Sequence, residues 1–257
     1  MLTMAAGVIA SLLVGATLER LDIAGFDRML EWSVFAIAFT AFAVGGVANA
    51  VNIIDGYNGL VGAYLMIVLV AIAWVASQVG DSFVLAATLT GLGAILGFLV
   101  WNWPKGVVFL GDGGAYLLGF WIAELSVLLV VRNLEVSPWF PLALLAYPIF
   151  ETLFSIYRRS VVRGESSGRP DAMHFHTLVF RRLVRTIGAK DVRAITRSNS
   201  TVAPYMLAFS LTSILPALLL WENSFWLMIV TLTFCMLYVF AYSSIVRFRT
   251  PAWAIRR

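Results

Sequence analysis

The sequence of 257 residues has little charge and almost no cysteine or histidine. Only 12% of its residues are charged, one is cysteine and two are histidine, whereas 61% are hydrophobic and the mean hydropathy is +0.89. This balance excludes a disordered, a collagenous or an ordinary cytosolic protein. Because Cys235 stands alone in an apolar run, no intrachain disulfide can form, and the cysteine count carries no information on zinc or redox function.

The long apolar runs that make up most of the chain predict membrane-spanning helices. A bilayer core about 30 Å thick requires about 20 mostly apolar residues in a helix, because no water is present to bind the backbone. Eight segments meet this requirement: Met1–Leu18, Trp32–Val51, Leu60–Gln78, Ser82–Trp101, Gly114–Val131, Pro138–Ile156, Thr201–Trp221 and Ser224–Val246. A cleaved signal peptide is the alternative for the first segment, although no basic residue precedes it. We predict an all-α, polytopic transmembrane helical bundle of about eight spans, in a single domain over residues 1–257 with its core at about 32–185.

The positive charges divide unevenly between the two sides that these spans define. Loops after the first, third, fifth and seventh spans carry 3 lysines and arginines, and loops after the second, fourth, sixth and eighth carry 15. Cytoplasmic loops retain lysine and arginine, so the second set is predicted to face the cytoplasm, together with both termini. Topology therefore accounts for the net charge of +4 better than nucleic-acid binding does.

Three polar interruptions lie on this predicted cytoplasmic side, and the first begins inside an apolar helix. Asn49 and Asn52 share one helical face, and Asp55 follows near the helix end. Polar groups at that depth are costly, and they usually face a wet cavity that is lined by protein. Amides that join neighbouring helices are the structural alternative. This alternative suits Asn49 but explains Asp55 and the glycines that follow it poorly.

The second interruption places Asp112 among three glycines, immediately before a new apolar helix. Glycine lets the backbone approach a ligand closely, and a helix N-terminus offers unpaired N–H groups to an anion. Carboxylate oxygens suit Mg²⁺, which takes one or two carboxylates and completes its shell with water and phosphates. An aspartate that only caps the helix is the structural alternative, and it is compatible with the functional one.

The third interruption contains both histidines, His174 and His176, in a loop with ten basic residues. The absence of a third histidine or a cysteine disfavours structural zinc, whereas the arginines favour phosphate, because their planar forks match phosphate oxygens. For the arginines as a group, setting the topology and contacting anionic lipid is the favoured alternative. Two glutamates inside predicted spans, Glu124 and Glu151, are expected to support the site or to join helices, and Glu151 lies close enough to pair with this loop.

The three interruptions, in this order and on one face, resemble the polyprenyl-phosphate N-acetylhexosamine-1-phosphate transferases, which form glycosyltransferase family 4. The matching motifs are NAVNIIDGYNGL at 49–60, VFLGDGGAYLLGF at 108–120 and RPDAMHFHT at 169–177. The Asn-Gly-Leu form is more similar to the O-antigen and teichoic-acid branch than to the muramoyl-pentapeptide branch. The resemblance implies transfer of N-acetylhexosamine-1-phosphate from a UDP-sugar, such as UDP-N-acetylglucosamine, to undecaprenyl phosphate, with release of UMP.

The resemblance also implies roles for particular residues and a cofactor. Mg²⁺, or Mn²⁺ in its place, is expected on Asp112 with Asn52 beside it. The expected catalytic residues are Asp55, Asp112, His174 and His176, and the expected substrate contacts are Asn49, Asn52, Asn58, Lys105, Asp171 and Arg182.

The expected partners are undecaprenyl phosphate, a UDP-N-acetylhexosamine and the lipid bilayer, with a homodimer as an open alternative and with no nucleic acid. The expected location is a bacterial inner membrane, with the active site on the cytoplasmic side. There the lipid-linked product would supply cell-envelope polysaccharides such as lipopolysaccharide.

The sequence departs from the family pattern at several places. Thr177 replaces a further histidine, and Ala115 replaces a common serine. No Asp-Asp or Glu-Asp dipeptide is present, although the family carries an acidic pair upstream, and family members have more spans than the eight predicted here. These departures predict an N-terminally truncated chain that is inactive alone if the acidic pair acts on the lipid phosphate. Two alternatives stay open: an inactive relic of the transferase, and a secondary transporter, which would distribute polar groups through the membrane midplane.

Overall fold

The structure is a computed structural model that describes residues 2–162, 164, 173–184, 196 and 198–247. The described residues form helices and turns, with no strand among them. The helices, labelled in chain order, are α1 (Leu2–Val14), α2 (Ala24–Leu30), α3 (Ser33–Ile54), α4 (Leu60–Gln78), α5 (Ser82–Asn102), α6 (Gly111–Arg132), α7 (Trp139–Leu144), α8 (Ala146–Tyr157), α9 (Phe175–Val179), α10 (Val202–Leu219) and α11 (Ser224–Val246). Two π-helical turns, Arg158–Val162 and Phe180–Val184, continue α8 and α9.

Within the described residues, six helices are long and apolar enough to cross a membrane: α3, α4, α5, α6, α11, and α10 extended back to Ser198. The predicted all-α, polytopic bundle is therefore confirmed, whereas the predicted number of eight spans is not. The first predicted span contains the 13-residue helix α1, which is shorter than the bilayer core is thick, because a helix rises about 1.5 Å per residue. The sixth predicted span is divided into α7 and α8.

The break between α7 and α8 follows from a proline. Pro148 has no N–H to donate to the carbonyl of Leu144, and its ring would clash with that carbonyl in a continuous helix. Leu145 accordingly leaves the helical conformation, with φ −96° and ψ 13°. The hydroxyl of Tyr64 on α4 donates to the Leu144 carbonyl at 2.6 Å. This bond gives a partner to a backbone group that lies inside the bundle.

Helix α3 packs against α1 and α6 through small residues. A Cβ added to Gly119 of α6 would lie 2.8 Å from the Cα of Ala48 on α3, and one added to Gly7 of α1 would lie 3.1 Å from the Cα of Ala41. Small residues let membrane helices approach closely where burial of apolar surface gives no driving force. The contacts run from Gly119 with Ala48 to Asp112 with Asn52, so α3 and α6 are antiparallel. The end of the bundle where α3 ends and α6 begins is called the motif end below.

Candidate active site

The motif end brings together three segments that are far apart in the sequence: the turn after α3, the first turn of α6, and α9. Asn52 and Asp112 join the first two segments by a hydrogen bond. The ring of Tyr57 meets the ring of His176 edge-on, with centroids 5.7 Å apart, and joins the first segment to the third. The three polar interruptions predicted to share one face therefore lie at one end of the bundle.

Asn52 and Asp112 are held side by side by the antiparallel packing of α3 and α6. The amide Nδ2 of Asn52 donates to Oδ1 of Asp112 at 3.1 Å. Gly111 begins α6 with φ +66°, a conformation that favours glycine, and Asp112 follows in the first helical turn. Asp112 is exposed. Its carboxylate is therefore accessible to a ligand, next to backbone N–H groups that have no partner within the helix.

Asp55 follows the last residue of α3 and lies within electrostatic reach of Asp112. Burial, and secondly the negative charge of Asp112, raise the pKa of the Asp55 carboxyl to about 6. Within the described part of the chain, neither carboxylate forms a salt bridge with a basic side chain. Two neighbouring carboxylates without a basic partner are an arrangement that a bound cation stabilises.

The oxygen atoms of this cluster fit the ligand preference of Mg²⁺ and do not form a complete metal cage. Among the described residues, no three histidine, cysteine, aspartate or glutamate side chains are close enough to hold a metal by themselves. Mg²⁺ needs no such cage, because it commonly binds one or two carboxylates and keeps water and substrate phosphates as its other ligands. Asp112, with the Asn52 amide and Asp55 nearby, offers that kind of partial oxygen site.

The two histidines lie together on α9 with their rings stacked. The ring centroids of His174 and His176 are 5.4 Å apart and the ring planes differ by 13°. His176 is buried, and its Nδ1 lies 3.1 Å from the hydroxyl of Tyr147 on α8. A Cβ added to Gly56 would lie 3.5 Å from Nε2 of His176. His176 therefore faces the turn that contains Asp55, and the His174 ring is stacked on it.

Thr177, which replaces a further histidine of the family pattern, contacts the same turn. Burial raises the Tyr57 pKa, and the Thr177 side chain and the positive charge of Arg181 partly offset this rise. The Tyr57 ring also packs against Phe180, with centroids 5.2 Å apart. No pattern in the sequence predicted that Tyr57 belongs to the site, because it contacts residues more than a hundred positions away.

Glu151 on α8 supports the histidines directly. Its carboxylate accepts hydrogen bonds from the Phe175 backbone N–H and from the Tyr238 hydroxyl at 2.8 Å, and its Oε1 lies 2.9 Å from Nδ1 of the His174 ring. The sequence predicted that Glu151 could pair with the basic loop. The described partners are a histidine and a backbone N–H of that loop, together with a tyrosine of α11.

Asn58 lies beneath the site in a buried hydrogen-bond network. Its backbone N–H donates to Asn199 at 2.8 Å, and its side chain lies 3.5 Å from the Pro104 carbonyl. Asn102 accepts from the Gly59 N–H at 2.6 Å. Asn58 was predicted to contact substrate, but its side chain is buried and covered by the loop between α5 and α6. Sequence reasoning missed Asn102 and Asn199, whose only signal is that each is an amide at the end of an apolar run.

The remaining predicted substrate contacts lie around the cluster. Asn49, one helical turn before Asn52, is exposed and accepts from the Tyr116 hydroxyl at 3.4 Å. Lys105 is exposed in the loop that covers Asn58, and Arg182 is exposed in the turn after α9. Asp171 lies outside the described residues.

Two arginines of the basic loop are part of the core of the bundle. Arg158 and Arg159 are 7% and 6% exposed, and Arg158 donates to the Tyr242 hydroxyl at 3.0 Å. The interpretation that the arginines as a group only set topology is therefore wrong for these two residues. Tyr242 in turn donates to the carbonyl of Met173, so Arg158 helps to hold the segment that carries the histidines.

Comparison with known proteins finds relatives whose names describe two related transferases. The chain is 31% identical over 163 residues to the probable undecaprenyl-phosphate N-acetylglucosaminyl 1-phosphate transferase of Bacillus subtilis (strain 168), which covers 63% of the chain and 45% of that protein. It is 28% identical over 168 residues to the undecaprenyl-phosphate alpha-N-acetylglucosaminyl 1-phosphate transferase of Thermotoga maritima, covering 65% and 50%. It is 37% identical over 103 residues to the phospho-N-acetylmuramoyl-pentapeptide-transferase of Streptococcus thermophilus, covering 40% and 30%.

Each alignment covers only part of this chain and only part of the relative. The aligned region spans half or less of the length of each of these relatives. The family model for glycosyl transferase family 4 matches residues 1–130, which include Asn52, Asp55 and Asp112 and end before the histidines. Since this match covers half of the chain, the chain belongs to glycosyl transferase family 4.

Proposed function

We propose that this chain carries the catalytic site of a membrane enzyme that transfers N-acetylhexosamine-1-phosphate from a UDP-sugar to undecaprenyl phosphate. UDP-N-acetylglucosamine or a close relative is the proposed donor, and UMP is the proposed second product. The observation that carries the proposal is the meeting of Asn52, Asp55 and Asp112 with the His174–His176 pair at one end of the bundle. The names of the relatives from Bacillus subtilis and Thermotoga maritima describe a transfer of this kind.

In the proposed reaction, an oxygen of the lipid phosphate attacks the β-phosphorus of the UDP-sugar. A new phosphorus–oxygen bond forms there, the bond to the oxygen that bridges the two phosphorus atoms breaks, and UMP leaves with that oxygen. Both reactants are anions, so the site has to lower their mutual repulsion and align them more than it has to form a covalent intermediate.

Mg²⁺, or Mn²⁺, is the proposed cofactor, and Asp112 with the Asn52 amide would hold it. When bound, the ion would neutralise charge on the diphosphate. The hydrogen bond from Asn52 fixes the direction of the Asp112 carboxylate. His174 and His176 are the proposed donors of hydrogen bonds to phosphate oxygens.

The polar groups of this site lie at the end of the bundle, which favours an enzyme over a transporter. A transporter site is expected near the membrane midplane, on interrupted helices. Of the described polar side chains, Asn52, Asp55, Asp112 and His174 all lie at or beyond helix ends. The inactive relic is separated from the enzyme by the experiment below.

The proposed activity is tested with membranes that contain the protein, radiolabelled UDP-N-acetylglucosamine, undecaprenyl phosphate and Mg²⁺. Two versions are compared: the 257-residue chain, and the same chain preceded by whatever its gene encodes upstream. We expect UMP release and a labelled lipid that dissolves in organic solvent, both lost when EDTA removes the metal.

Asp112→Asn is expected to lower the rate by about 100-fold or more, because it removes a charge that stabilises the transition state. Glu135→Gln is the control, because Glu135 is an exposed carboxylate in a loop at the opposite end of the bundle. Activity of the longer version alone indicates that the upstream part is needed. If neither version releases UMP although both are folded in the membrane, the relic is favoured and the proposal is wrong.

A further inference from the structure

We propose that Glu151 is a positioning residue that sets which ring nitrogen of His174 carries a proton and, through the stacked rings, the orientation of His176. The proposal rests on the proposed function for the reaction that the histidines serve. The geometry that supports it is independent of that reaction, because it concerns only contacts within the chain.

The Glu151 carboxylate is buried, and both of its oxygens form hydrogen bonds with neighbouring groups. Glu151 is 1% exposed. Oε1 meets His174 Nδ1 at 2.9 Å and the Phe175 N–H at 3.1 Å, and Oε2 meets the same N–H at 3.2 Å and the Tyr238 hydroxyl at 2.8 Å. A buried carboxylate is costly unless its oxygens are hydrogen-bonded. These donors, from α9 and α11, meet that requirement and hold the carboxylate in one position.

This arrangement fixes the protonation of one nitrogen of His174. Phe175 and Tyr238 both donate to Glu151, and we infer that its carboxylate acts only as an acceptor and that Nδ1 of His174 carries the proton of their contact. The ring is then either the neutral form with its proton on Nδ1 or the imidazolium. In both forms Nε2 is the nitrogen through which the ring reaches any further partner, such as a phosphate.

The same contacts fix the position of the helix that carries both histidines. Helix α9 is only five residues long, and its N-cap residue, His174, forms no side-chain cap. Glu151 supplies the acceptor for the first N–H of this helix from outside, at Phe175. The neighbouring Phe175 ring packs on Tyr238, with centroids 5.1 Å apart.

Stacking transmits this position to His176. The two rings are nearly parallel, and the Nδ1 of His176 lies against the Tyr147 hydroxyl. The opposite side of the His176 ring faces Gly56, next to Asp55. A change at Glu151 is therefore expected to alter the orientation of both histidine rings. Glu151 itself does not touch the Asp55 turn in any described contact.

The chain is well suited to a direct test, because His174 and His176 are its only histidines. Ring ¹⁵N labelling of histidine in the full chain, purified in detergent micelles without a histidine tag, gives two sets of ring signals. The signals that disappear in His174→Gln are assigned to His174, and we expect that ring to show a protonated Nδ1. If the unaltered protein instead shows His174 with an unprotonated Nδ1, the proposal is overturned.

Glu151→Gln is the test variant, because it keeps the size of the side chain and replaces one acceptor oxygen by a donor NH₂. We expect the His174 signals to move toward the form with its proton on Nε2 and the His176 signals to shift with them. Glu124→Gln is the matched control, because Glu124 is the other buried glutamate among the residues that the structure describes and no described hydrogen bond links it to a histidine. Tyr238→Phe removes one donor to Glu151, keeps the ring packing, and is expected to leave the Nδ1 proton in place. Unchanged His174 signals in folded Glu151→Gln would overturn the proposal.

The kinetic consequence is measured in whichever version of the protein releases UMP. Loss of a partner that orients a catalytic group typically lowers activity by about 10-fold to 100-fold, and we expect this loss in kcat with little change in the KM for the UDP-sugar. A loss confined to KM, or an equal loss in Glu124→Gln, would show a purely structural role and overturn the proposal. If no version has activity, the proposed function fails, while the ¹⁵N spectra still decide the role of Glu151.

Discussion

Gly59 is the residue on which the turn after α3 depends most directly. Its φ is +78°, a region that favours glycine, and its N–H donates to Asn102. A Cβ at this position would lie 2.4 Å from Cδ1 of Trp103. Both the backbone conformation and the available space therefore exclude a larger side chain, and the turn links α4 to the segment that carries Asp55.

Gly59→Ala is expected to destabilise the protein more than Gly80→Ala. Gly80 also has a positive φ, +74°, but an added Cβ would have open space. Gly80→Ala should therefore cost about 1–2 kcal/mol of unfolding free energy, from the backbone alone. Gly59→Ala should cost at least about 1 kcal/mol more, because Trp103 has to move. Thermal unfolding of both variants in detergent checks the order, and equal costs would contradict the account of this turn.

At the scale of single residues, the sequence predicted Asp55 and Asp112 as site residues. Each is a carboxylate that stands beside glycines and interrupts an apolar run, where a charge is costly in a membrane. The contact of Asn58 with Asn199 and that of Tyr57 with His176 could not be predicted, because each joins segments that only the folded bundle brings together. The burial of Asn58, a predicted substrate contact, depends on the same contacts between distant segments.

At the scale of helices, the division of the predicted sixth span is the main difference from the sequence prediction. Hydropathy over Pro138–Ile156 is that of a span, but Pro148 interrupts the backbone bonding at Leu144. Six of the other seven predicted spans agree with α3, α4, α5, α6, α10 and α11 to within a few residues, and the first predicted span contains the shorter α1. Hydropathy measures only composition, so it does not report where a proline divides an apolar run.

Tyr64→Phe should lower the unfolding free energy by about 1 kcal/mol, because it leaves the Leu144 carbonyl without its side-chain donor. Tyr205→Phe is the matched control, since Tyr205 is 37% exposed on α10. Unfolding of both variants is compared in the same detergent. If Tyr64→Phe unfolds at the temperature of Tyr205→Phe, the hydrogen bond does not support the break between α7 and α8.

At the scale of the whole molecule, the two ends of the bundle differ in how their carboxylates are paired. At the motif end, Asp55 lies within electrostatic reach of Asp112, and neither forms a described salt bridge with a basic side chain. At the opposite end, Asp81 caps α5 by accepting from Val84 and receives the Arg132 side chain at 2.7 Å and 3.2 Å. Although burial of Asp81 acts in the other direction, these bonds leave the pKa of its carboxyl below the ordinary value of 3.8.

Asp81 is therefore expected to contribute stability that depends on pH. Since its pKa is lower in the folded chain, the unfolded chain binds more protons between the two values, and the contribution is complete above about pH 4 and lost as the pH falls further. Asp81→Asn keeps an N-cap residue and removes the charge. Thermal unfolding from about pH 6 to about pH 3 should show a steeper loss in the unaltered protein than in Asp81→Asn, and parallel curves would contradict the assignment.

For the whole molecule, the proposal to test first is that the motif end binds a divalent cation beside the histidine pair. The most direct measurement is the broadening of the His174 and His176 ring signals by Mn²⁺, with UDP-N-acetylglucosamine present, in the chain labelled with ¹⁵N-histidine. We expect Mn²⁺ to broaden both sets of signals and Asp112→Asn to remove most of the broadening. Signals that stay sharp at saturating Mn²⁺, or that broaden equally in Asp112→Asn, would contradict the proposal.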